Sequence, residues 1–144
     1  MAIKQVYHEY KEANDFRRIS QYFDGKENRG KRFIARTQPN AYGGYYFVIR
    51  LNDRVSNLPQ ESQVKLAVIL PQQPEPKVYK LTVPQNESRS CEIYAGITGS
   101  DWADPLQTPI AWRIMVYDNQ KKLLAEQHSF LWNDDMHPIF AEDH

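Results

Sequence analysis

Residues 98–105 read Thr-Gly-Ser-Asp-Trp-Ala-Asp-Pro, two carboxylates bracketing a tryptophan between a glycine and a proline. Three chemistries fit those residue types. Calcium takes six to eight oxygen ligands, commonly from carboxylates on converging loops, and Asp101 and Asp104 with the Asp134-Asp135 pair would bring four side chains. A sugar stacks on aromatic faces and bonds to neighbouring carboxylates, for which Trp102, Trp132 and the cluster from Tyr42 to Tyr46 are candidates. The third chemistry is purely structural: Gly99 takes a positive φ, Asp101 bonds to nearby amides, Pro105 closes the turn, and Trp102 plugs one end of a core with its indole nitrogen on a loop carbonyl. The structural reading is preferred. Two carboxylates three residues apart cannot wrap an ion alone, and Asp134 and Asp135 lie far along the chain.

Catalytic signals are weaker. Of the four histidines, His8, His128, His137 and His144, only His128 falls in a segment that reads as a strand. Its neighbour Ser129 would point to the opposite face and so cannot form a nucleophile–base pair with it. No glycine-flanked nucleophile elbow, phosphate-cradling loop or zinc-binding helix motif is present, and no motif calls for a cofactor. The single cysteine, Cys91, excludes an internal disulfide and a cysteine-based zinc cluster.

Eighteen basic residues balance eighteen acidic ones. Arg17, Arg18, Arg29, Lys31, Arg32 and Arg36 alternate with Asp15, Asp24 and Glu27, which reads as a solvated, salt-bridged surface rather than a nucleic-acid groove. Neither nucleic acid nor membrane is expected as a partner, since no segment approaches the length of apolar sequence that spans a bilayer. The opening residues lack the apolar stretch of a secretion signal, so a cytoplasmic location is expected, with secretion compatible if the sequence is a piece of a longer chain. Asn86-Glu87-Ser88 matches the glycosylation acceptor pattern, a triplet short enough to arise by chance.

The elements that must position these residues are strands. Period-two alternation predicts strands over 31–37, 44–52, 63–70, 77–83, 90–97, 109–117 and 122–132. Their inward faces are expected to carry Tyr45, Phe47, Ile49 and Leu51; Val64, Leu66, Val68 and Leu70; Cys91, Ile93, Ala95 and Ile97; and Ile110, Trp112, Ile114 and Val116. The proline-rich stretch from Pro71 to Pro76 is expected to end the third strand, and Asp118–Lys121 to form the turn of a hairpin. Residues 1–25 read as a tail and a short helix, with Asn14 or Asp15 as its cap and Asp24-Gly25 as its stop, ahead of a sandwich domain over 26–144.

About seven strands must fold face to face to bury their apolar sides, which predicts an all-β fold, a single antiparallel β-sandwich. The layout is similar in outline to immunoglobulin-like and fibronectin-type-III-like sandwiches in strand count and spacing, without the paired cysteines of antibody domains. The expected function is non-catalytic: a protein-interaction or scaffolding module, with Tyr7, Tyr10 and Phe16 available to a protein partner or for self-association. The alternative is a carbohydrate- or calcium-binding module using the 98–105 loop, and an enzyme of unspecified type comes third.

Overall fold

Alternation of apolar and polar side chains turns most of the chain into strands, and the strands close on one another to remove their apolar faces from water. The computed structural model describes residues 1–13 and 32–132. It contains β1 (Ile3–Lys11), β2 (Phe33–Arg36), β3 (Gly44–Leu51), β4 (Gln63–Leu70), β5 (Gln73–Thr82), β6 (Glu92–Thr98), β7 (Ala111–Tyr117) and β8 (Leu123–His128). Two four-stranded sheets result, in the orders β1-β3-β6-β2 and β5-β4-β7-β8. They pack as a β-sandwich. All pairings are antiparallel except that of β2 with β6, in which Phe33 to Arg36 run parallel to Ile93 to Gly96.

The core lies between the sheets where the alternation placed it, except that Cys91, one residue short of β6, is half-buried and outside the cluster. Tyr45, Phe47, Ile49 and Leu51 from β3 meet Val64, Leu66, Val68 and Leu70 from β4, with Ile93, Ala95 and Ile97 from β6 and Trp112, Ile114 and Val116 from β7. Full burial of one such aliphatic or aromatic side chain stabilises by roughly 1.5 to 3 kcal/mol, so these positions outweigh any surface contact. A second cluster lies outside the other sheet, where Trp132 covers Ala67 and Ala111 and packs with Ile69 and Val78. The polar gap between β7 and β8 is the expected hairpin, closed by Asp118 N–H to Lys122 O at 3.0 Å, with the Asp118 carboxylate accepting from the Gln120 and Lys122 amides.

Three details differ from the expectations. The first residues form no tail: Ile3–Lys11 is an edge strand paired with β3, with Ile3, Val6 and Tyr10 against the core. A register shift between Ile3 and Gln5 and an inward histidine at His8 break the apolar period, which is why the spacing did not read as a strand. β4 ends at Leu70 as expected, but the next strand starts at Gln73 rather than Lys77 and takes in Pro74 and Pro76, because β5 is an edge strand and a proline there removes no bond to a further neighbour. Ile110 is exposed, one residue short of β7. The helix expected after the tail, with Asn14, Asp15, Asp24 and Gly25, lies outside the described residues. Among those described, no helix is long and apolar enough to cross a membrane.

Candidate functional site

The 98–105 loop follows β6 directly. Gly99 sits at φ +61°, where a Cβ would come within 3.0 Å of the Ala41 side chain, so both its backbone angle and its surroundings require glycine. The Gly99–Asp101 turn is closed by Trp102 N–H to Gly99 O at 3.1 Å and delivers Trp102 onto the core. Trp102 is 4% exposed and stacks on Tyr45 with ring centroids 4.7 Å apart. Its indole Nε1 is buried without an acceptor, which corrects the expectation of a loop carbonyl there. The carboxylates also divide differently than expected. Asp101 Oδ2 accepts from Gln38 Nε2 at 3.1 Å, while Asp104 Oδ1 accepts from the Leu106 amide at 2.9 Å and holds the turn.

The remaining sequence candidates scatter. Trp132 is 4% exposed on the outside of the second sheet, in a cluster separate from that of Trp102, so neither indole offers a ring face to a sugar. Among the described residues no group of three or more His, Cys, Asp or Glu side chains could hold a metal ion. Asp134, Asp135, Phe16, His137 and His144 lie outside the described residues. Tyr7 is exposed on β1, whereas Tyr10 packs against the core. His128 Nδ1 lies 2.9 Å from the backbone oxygen of Ser129, and the Ser129 hydroxyl accepts from the Trp112 amide at 3.0 Å, so the two side chains serve the β7–β8 connection rather than each other. Asn86 is likewise occupied, its amide donating to Arg32 O and its oxygen accepting from Ser88 N.

One member of the loop does reach a cavity. Asp101 lines an open cleft of about 600 Å³ at the seam where the two sheets end on the same side, between edge strands β2 and β5. The walls are runs of consecutive residues, Ile34 to Arg36 on β2 with Thr37 just after it, and Val78 to Thr82 on β5. Among the described residues each of these strands pairs on one side only. Arg36, Lys80 and Asp101 place charge of both signs around it, and Pro39 and Pro84 complete the lining. Burial, and after it the charge of Asp101, pushes the Tyr79 hydroxyl above its ordinary value of 10, so at neutral pH it remains a protonated donor. Arg36 is itself fixed, donating through Nε to the Tyr46 hydroxyl at 2.7 Å.

Sequence reading missed the seam because its two walls belong to different sheets, and which strands end a sheet is set by topology. The local signal was the pair Pro74 and Pro76 beside Lys77 and Lys80, a combination that edge strands favour. Compared with models of known protein families, with curated proteins and with solved structures, the chain finds no match in any of the three.

Proposed function

We propose that this chain is a non-catalytic protein-binding module that accepts an extended segment of a partner protein along the seam between β2 and β5. The observation that carries the reading is the placement of two one-sided strands as the walls of a single cleft. An unpaired strand edge offers a ladder of N–H and C=O groups, and an added strand gains affinity from main-chain bonds and specificity from side chains along the groove. Pro74 and Pro76 cannot donate, so the added segment pairs with the Val78–Thr82 half of β5. Arg36, Lys80, Asp101 and the Tyr79 hydroxyl then read its side chains.

The strand orders also support an immunoglobulin-type assignment. With β1, β3 and β6 taken as A, B and E, and β4, β7 and β8 as C, F and G, β5 takes the place of C′. β2 occupies the position of D but enters from between A and B and runs parallel to E. Folds of this layout serve many functions, so the seam rather than the layout carries the proposal.

The test is a random-peptide display library panned on the protein, with recovered peptides titrated into isotope-labelled protein and followed by amide chemical shifts. Peptides that bind and shift the amides of Ile34 to Thr37 and Val78 to Thr82 are the expected result. Failure to recover any ligand, or ligands that map to other surfaces, would overturn it.

A further inference from the structure

The outer face of the first sheet carries tyrosine and arginine in an ordered arrangement. Strand register places Tyr7, Val48, Tyr94 and Ile34 side by side across β1, β3, β6 and β2, and Glu9, Tyr46, Gly96 and Arg36 in a parallel row. The second row is knit together by arginine on tyrosine. The Tyr46 ring lies over Gly96, where a Cβ would approach it to 2.5 Å, and the Arg36 guanidinium sits 4.4 Å from the Tyr42 ring centroid. In the first row Arg32 stands 5.2 Å from the centroid of Tyr94 and donates to the Tyr94 hydroxyl at 3.2 Å.

Between Tyr94 and Tyr7 this order is interrupted. Two strand spacings separate the two residues, about 9.5 Å, with Val48 as the floor. The depression left there has a volume of about 370 Å³ and is lined by Tyr7, His8, Glu9, Val48, Glu92 and Tyr94. Tyr7 is 51% exposed beside it. The lining carries two carboxylates and no lysine or arginine. Lys11, its side chain 16% exposed, reaches Glu9 at 2.9 Å and the 69% exposed Glu9 keeps its remaining carboxylate surface toward solvent, while Arg50 pairs in register with Glu92 without entering the lining. Burial lowers the His8 pKa, so its ring adds no positive charge at neutral pH.

We propose that the depression between Tyr7 and Tyr94 is a binding site for the guanidinium group of an arginine side chain presented by a partner protein. A planar cation over a tyrosine face is attracted by the ring quadrupole, and a carboxylate beside it takes the N–H groups pairwise. The protein already uses the first of these contacts twice on this face, at Arg32–Tyr94 and Arg36–Tyr42. The incoming arginine continues the alternation, with Glu92 and Glu9 as its anions. Lysine fits less well, because a point charge cannot match the flat gap between two rings.

The probe is the capped peptide Gly-Ser-Arg-Ser-Gly, compared with versions carrying lysine or citrulline in place of arginine. Citrulline keeps the shape and removes the charge. Titration into isotope-labelled protein should give saturable shifts at Tyr7, Val48 and Tyr94 with the arginine peptide, while the amides of Val78 to Thr82 stay still. Tyr7→Ala should weaken binding about fivefold, Tyr7→Phe should retain it, and Glu92→Gln should weaken it with thermal stability unchanged. Equal binding of the citrulline or lysine peptide would overturn the proposal, as would shifts confined to other surfaces or no saturable shift. The seam amides are read separately in the same titration, so its outcome is distinguishable from that of the panning test.

Discussion

Trp102 and Tyr45 stack inside the sandwich with their ring centroids 4.7 Å apart and their planes 30° from parallel. This contact joins the loop after β6 to the start of β3 and closes the core at that end. A buried tryptophan truncated to alanine leaves a cavity as well as lost transfer energy, so Trp102→Ala should cost about 3 to 5 kcal/mol. Trp102→Phe should cost far less, since it keeps a ring on Tyr45 and removes a buried donor that has no acceptor. Denaturant melts of both variants check the pair of values, and a loss below about 1 kcal/mol for the alanine variant would contradict the plug.

Gly96 supports the outer face of the first sheet by having no side chain. Gly96→Ala would push a methyl group into the fully buried Tyr46 ring, whose hydroxyl is tied to Arg36 and to the Tyr42 carbonyl at 2.6 Å. Because that ring cannot swing away without breaking both bonds, the expected cost is about 1 to 3 kcal/mol. Pairing the substitution with Tyr46→Ala measures the coupling, and additive losses would show that the two residues do not meet.

Arg113 and Glu126 form an asymmetric ion pair on the outside of the second sheet, 2.7 Å long, with side chains 4% and 39% exposed. Removing the carboxylate strips a nearly buried guanidinium of a charged partner, while the exposure of Glu126 lets solvent screen part of the loss. Glu126→Ala should therefore destabilise by about 1 to 2 kcal/mol, and 1 M salt should shrink the difference from the parent only slightly. A difference that vanishes in salt would place the pair among ordinary surface contacts.

His8 makes stability depend on mild acid. Its Nδ1 lies 2.8 Å from the Tyr45 hydroxyl and its ring packs on Tyr45, Phe47 and Trp112, so burial holds its pKa below the ordinary 6.5. Burial also raises the Tyr45 pKa, which keeps that hydroxyl neutral. The unfolded chain then binds the proton more readily than the folded one. The stabilisation is complete above about pH 6.5 and is lost as pH falls through the lower folded value, levelling off beneath it. Thermal melts from pH 7.5 to 5 should show the decline, and His8→Gln should flatten it.

Much of this architecture was legible residue by residue. Tyr45 through Leu51 and Val64 through Leu70 carry an apolar residue at every second position, and both runs bury the side they were expected to bury, along with Tyr46, Val48 and Ala67 on the opposite side. Where a local rule was broken, legibility failed. His8 faces the core as a polar residue, and the register shift near Ile3 hides the period of β1. At the 98–105 loop the positive φ of Gly99 followed from its own sequence, yet the partner of Asp101 did not, because Gln38 arrives from a different loop. The depression between Tyr7 and Tyr94 was out of reach for the same reason, since three strands far apart in the chain must align before it exists.

The parallel pairing of β2 with β6 bears on how the molecule is made. Beside it Gln38 bonds to Thr98 across 60 residues of chain, whereas β4 with β5 and β7 with β8 close through short turns. During synthesis β2 emerges from the ribosome well before β6, its lateral partner among the described residues, and that pairing waits until most of the chain has followed. Closing so long a loop costs entropy that four residues of ladder repay late. We expect a vectorial order of assembly in which the second sheet zips locally and β2 docks last. Pulse-labelled hydrogen exchange during refolding should protect Val64 to Val68 before Ile34 to Arg36, and simultaneous protection would rule that order out. A strand that docks last makes the cleft between β2 and β5 the last part of the molecule to take shape.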